Sequence, residues 1–163
     1  MRRMLLFALT LVTTLCGASC GRSIDLATGL RVDGLATGWL DAGLAQGLNK
    51  LVPAVSFALT NVSPETLPLL QVNAVFRRAG QTGEWGARFA TAHSQGLAPG
   101  ASTQTLTLAS DLGYTGADPR DAMLHNTQFV DADVDLFAKY SSTQWVRLGT
   151  FRVHRQLIAA LPR

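Results

Sequence analysis

Between residues 130 and 140 every second residue is apolar: Val130, Ala132, Val134, Leu136, Ala138 and Tyr140 alternate with Asp131, Asp133, Asp135, Phe137 and Lys139. Side chains point to opposite faces along a strand, so this stretch buries one face and wets the other only as β-structure. The same period of two runs through Val55, Phe57 and Leu59, and through Leu70, Val72, Ala74 and Phe76. Further strands are expected over 30–39, 84–92, 103–109 and 144–157. Turn residues separate them: Asn61, Ser63 and Pro64, then Gly80 and Gly83, then Pro99-Gly100, then Ser141 to Thr143. About seven short strands at this spacing predict an all-β fold, an antiparallel immunoglobulin-like β-sandwich, with a small barrel as the alternative. One short helix is expected after Asp118, which would cap it, with Pro119 in the first helical position and the end by Asn126. Phe57, Val72, Phe76, Val134 and Leu136 should share the core.

The last two strands predict their own register. A three-residue loop over 141–143 sets Ala138 opposite Val146 and Leu136 opposite Leu148. Phe151 and Val153 then fall out of phase, and a one-residue bulge at Gly149-Thr150 restores them opposite Val134 and Ala132. The outer face would pair Arg152 with Asp133 and His154 with Asp131. Asp131, Asp133 and Asp135 also have the spacing that opens a calcium-binding EF-hand loop. That loop needs Gly at its sixth position and Glu at its twelfth, where this chain has Leu136 and Ser142. The aspartates are therefore read as the outer face of a strand, and no metal site is expected.

Residues 40–49 look like a loop, because Gly34, Gly38, Gly43 and Gly47 interrupt any apolar period. Arg31, Asp33 and Asp41 argue against reading the Gly-x-x-x-Gly spacing there as a membrane helix. Pro53 is placed near the start of the following strand, where its missing N–H is tolerated.

The amino terminus carries an address. Arg2 and Arg3 precede an apolar run from Met4 to Leu15, and small residues follow. This is the pattern of a secretory signal, and the run is shorter than the ~20 residues of a membrane span. Gly17-Ala18-Ser19-Cys20 resembles a bacterial lipobox, which implies a lipid on Cys20. The expected organisation is a signal over 1–19, a tether over 20–29 and one sandwich domain over 30–163. Export without lipid is the alternative. Removal of Cys16 with the signal leaves Cys20 alone, so the core must hold without an internal disulfide. Fourteen Lys and Arg face 11 Asp and Glu. Two of those bases leave with the signal and the rest are scattered, which gives no basis for a nucleic-acid partner.

The strand ending in Leu59-Thr60-Asn61-Val62-Ser63, then Val75-Phe76-Arg77-Arg78, then Gly96 to Gly100 before another strand, resembles the sandwich modules of bacterial envelope proteins, FxLYD-type domains among them. The resemblance covers about residues 50–110. Trp85-Gly86 and Gly113 to Gly116 also look like parts of an uncharacterised bacterial family. Neither resemblance implies a chemistry, because sandwiches host many functions.

No phosphate loop, dinucleotide fingerprint or Gly-x-Ser-x-Gly elbow occurs, and no cofactor is expected. His93, His125 and His154 fall on separate elements, none at metal-ligand spacing. Trp85, Tyr114 and Trp145 are candidates for partner contact, or else close the ends of the core. The expectation is a non-catalytic binding or assembly module of the bacterial envelope. It would be held to the membrane through Cys20 and meet an envelope protein or a glycan. An envelope hydrolase built on His93 or His125 is the alternative.

Overall fold

The computed structural model describes residues 24–159. The signal segment and Cys20 lie outside them. Ten elements follow one another: α1 (Leu26–Gly29), β1 (Leu30–Ala45), β2 (Leu48–Asn61), β3 (Leu70–Arg78), β4 (Glu84–His93), β5 (Leu106–Ala109), β6 (Tyr114–Gly116), α2 (Arg120–His125), β7 (Ala132–Tyr140) and β8 (Val146–Val153). All the strand pairs are antiparallel and form two sheets. One sheet has the order β1-β2-β5, with β6 also on β2, and the other the order β4-β3-β7-β8. The fold is an antiparallel β-sandwich, as the alternation predicts.

The apolar faces meet where the sequence puts them. Val55, Phe57 and Leu59 of β2 and Leu70, Val72, Ala74 and Phe76 of β3 are fully buried, as are Ala132, Val134, Leu136 and Ala138 of β7. Trp39 of β1 joins them. The two sides of the sandwich close differently. At one, Trp39 N–H donates to the Gln156 carbonyl at 2.8 Å and Ile158 N–H to the Trp39 carbonyl at 3.0 Å. At the other, a β-carbon on Gly86 would strike the Ser110 hydroxyl, so β4 and the end of β5 touch there.

Several expectations are corrected. The loop over 40–49 is strand: β1 runs on to Ala45, and a two-residue turn, Gln46-Gly47, leads into β2. Gly34 and Gly43 take positive φ at the two register shifts of β1, so those glycines mark bulges that keep the strand going. Pro53 is consequently internal to β2. The far edge of β2 is shared by β5 on residues 54–57 and β6 on 49–51, and Pro53, lacking an N–H, sits at the break. The end of the expected tether is part of the body: Asp25 caps α1 through Ala27 N–H (2.9 Å), and Leu26 is in the core. Asp118 does not cap α2. Pro119 stands at the cap with extended backbone, and the helix begins at Arg120. Strands β7 and β8 are shorter than expected, and the chain from His154 to Ile158 turns to line β1.

The β7–β8 register matches the expectation from Ala132–Val153 to Val134–Phe151 and again at Ala138–Val146, but the bulge lies one residue earlier. Gly149 faces Leu136, and Leu148 is the extra residue. A β-carbon on Gly149 would sit 2.6 Å from the Phe151 ring, so that glycine serves the ring above it and not the bulge.

Candidate functional site

The outer face of the β4-β3-β7-β8 sheet divides into two halves. In the charged half Asp133 accepts from Arg152 Nε at 2.5 Å, as the register predicts. Asp131 does not take His154. Strand β8 has ended by then, and Arg155 reaches Asp131 at 2.6 Å while also donating to the carbonyls of Leu124 and Phe129. The hydrogen bond from Arg155 comes first in holding the Asp131 carboxyl below its usual range. Asp135 is buried, contrary to its expected exposure. Thr150 donates to it at 2.5 Å, and Arg77 and Arg147 lie 3.4 and 3.8 Å away. Each aspartate of the row thus has a guanidinium. Among the described residues no cluster of three His, Cys, Asp or Glu could hold a metal ion.

The other half is aromatic. A straight row across the sheet sets Phe89 of β4 beside Asn73, Asn73 beside Phe137, and Phe137 beside Arg147. Trp145 enters from the β8 side and folds back over the face until its ring lies 6.1 Å from Phe89, edge to face. Lys139 Nζ stands 5.0 Å from the Trp145 ring and, among the described residues, has no carboxylate within ion-pair distance. Phe89 is 52% exposed and Trp145 39%. Two exposed aromatics in contact form a patch that the core does not need.

The candidates named from sequence therefore separate. Trp85 and Tyr114 come together, 5.2 Å apart, around the buried Trp39 and beside Phe129. The Tyr114 hydroxyl donates to the Val130 carbonyl and accepts its N–H, at 3.2 and 3.1 Å. This group closes one end of the core. Trp145 is at the other end of the second sheet. Sequence reasoning missed Trp39 and Phe129 as the centre of the cluster and Phe89 as Trp145's partner. The odd parity that Phe89 shares with Ala87 and Thr91 was the available signal, and it becomes readable only once the face of β4 is known.

The histidines stay apart. His93 lines an open cleft of about 730 Å³ with Thr91, Ser94, Gln95, Ser102, Gln104 and Thr105, and its Nδ1 is shielded without a hydrogen-bond partner. His125 Nδ1 meets the Asp121 carbonyl at 2.8 Å, within its own helix. His154 makes contact through its main-chain N–H, to Thr37. Among the described residues no imidazole meets a serine hydroxyl or a carboxylate within hydrogen-bond distance, the contact from which acyl-transfer chemistry starts.

No family model matches the chain, and no curated protein matches it. Among solved structures it is similar to Northeast Structural Genomics Consortium target SoR45, 14% identical over 79% of this chain and 89% of that one, with a TM-score of 0.44. It is also similar to the ligand-binding region of Serine-glutamate repeat protein A (SgrA) of Enterococcus faecium, 11% identical over 78% of this chain and 100% of that one, with a TM-score of 0.32. At these scores neither likeness carries an argument, and the fold rests on the sheets described above.

Proposed function

We propose that this chain is a lipid-anchored module of the bacterial cell envelope that binds a partner and performs no chemistry of its own. The observation that carries the reading is the exposed Phe89–Trp145 pair, set on a face whose aspartate row is matched by guanidinium groups. Large aromatics left in water beside an unmatched cation are what a binding surface presents, since they supply area at little conformational cost. Trp85 and Tyr114 brace the core, so Trp145 is the contact residue among the three. The signal pattern and Cys20 supply the address and the anchor, and a second acyl chain on the new amino group would make anchoring stable.

Crosslinking in intact envelopes tests the reading. The wild-type chain captures a partner, and the double variant F89A/W145A, equally abundant and folded, loses it. Equal capture by both would overturn the assignment of the surface. Mass spectrometry of the mature chain tests the anchor: it should begin at Cys20 with a diacylglyceryl group, and an unmodified Cys20 would contradict it.

A further inference from the structure

Among the described residues, strand β4 has a ladder along one edge alone. It pairs with β3, and β5 across the seam pairs with β2, so the two strands face each other without a ladder between them. The seam is pinned at one end. Gly86 abuts Ser110, and Arg88 donates from Nε to the Ala109 carbonyl at 3.2 Å while its other arm reaches Asp111 at 2.5 Å. Toward His93 the strands part, and the cleft of about 730 Å³ opens between Thr91 to Gln95 on one side and Ser102 to Leu106 on the other.

An exposed strand edge is a template for another strand, and folds ordinarily guard it with lysine, proline or a covering segment. From Phe89 to Thr91 the edge of β4 is regular and carries neither lysine nor proline, a bulge follows at Ala92, and among the described residues no strand covers the edge. The cleft beside it is lined by hydroxyls, amides, Ala92, Leu106 and the His93 ring, with no charged side chain. A ligand that satisfies such a border must bring its own regular row of donors and acceptors. An extended polypeptide does so. A strand added there would also set its outward side chains next to Phe89, and so next to Trp145, which joins the edge to the aromatic patch.

We propose that the partner is a protein, bound through an extended, uncharged segment that adds as a fifth strand to the free edge of β4, with apolar side chains against Phe89 and small polar ones in the cleft. This rests on the binding-module reading and specifies which partner and which bonds. Main-chain hydrogen bonds would give affinity, and alternate side chains specificity.

The test uses the full chain in detergent and two peptides, acetyl-Thr-Val-Thr-Val-Thr-Val-Thr-amide and its twin with alternate amides N-methylated. The unmodified peptide should bind and shift the amide resonances of residues 88–93, and the twin should bind at least tenfold more weakly. Equal binding of the two, no binding of either, or shifts confined to the Trp85–Tyr114 end would overturn the proposal. Successive N–H groups of a strand point to opposite sides, so of A90P and T91P one breaks the β3 ladder and the other blocks the edge. The variant that melts like wild type is the edge block, and it should lose the crosslinked envelope partner. If F89A/W145A loses that partner while the edge block keeps it, strand addition is wrong and the binding surface stands.

Discussion

Asn61 is fully buried, yet every polar group of its amide is matched. Its Nδ2 donates to the carbonyls of Glu65 and Leu97, both at 2.8 Å, and its Oδ1 accepts from the N–H and hydroxyl of Ser63 at 3.0 and 2.7 Å. One side chain therefore ties the end of β2 to two loops. Asn61→Ala would leave the Ser63 N–H without its acceptor and take one of two donors from each of the Glu65 and Leu97 carbonyls, and a buried group left unpaired costs about 1–3 kcal/mol. A loss of about 1–3 kcal/mol in chemical denaturation is expected, and a loss under about 1 kcal/mol would mean that the loops rearrange to find water. Phe76 works by volume instead. It lies opposite Gly86 and Val134 in the middle of the core, so Phe76→Ala should cost about 3–5 kcal/mol. A loss below about 1 kcal/mol would mean that the site refills.

At the scale of elements, the inward faces of β2, β3 and β7 were legible because burial imposes a period of two. Strand β1 was legible only as far as Trp39. Its bulges at Gly34 and Gly43 shift the phase twice, and half of it projects beyond the core, so no single period runs its length. Strand β6 is three residues long, too short to show a period, and α2 lacks the side-chain cap that its sequence advertises. Trp145 was legible as a candidate but its setting was not, since only the turn into β8 folds it back over the sheet toward Phe89. The β7–β8 register was legible because Phe151 and Val153 can be buried in one phase only. That register makes the Arg152–Asp133 pair a contact between strands. A double-mutant cycle of R152A and D133A should give a coupling of about 0.2–1 kcal/mol, reduced in salt. No coupling at low salt would place the two side chains apart in solution.

For the molecule as a whole, acid should act through the carboxylates that guanidinium groups hold. Asp131 is held low first by the hydrogen bond from Arg155, Asp41 by that from Arg120, and Asp33 by those from Arg31 and Thr60. A carboxyl whose folded value lies below its unfolded one stabilises fully above the unfolded value, near 4, and the contribution is lost as pH falls through the folded value. Melting temperature should therefore be insensitive to these groups at neutral pH and fall below about pH 4, less steeply in Arg155→Met. A drop that begins near pH 6 would point to a histidine. In the proposed function the aromatic half of the β4-β3-β7-β8 face is the working surface of the molecule. Site-specific photocrosslinking in intact cells tests it most directly, with the photoreactive residue placed at Trp145, at Arg152 in the charged half, or at Thr115 on the opposite sheet. Capture of a partner from position 145 and not from 115 or 152 is the expected result, and equal capture from all three positions would contradict it.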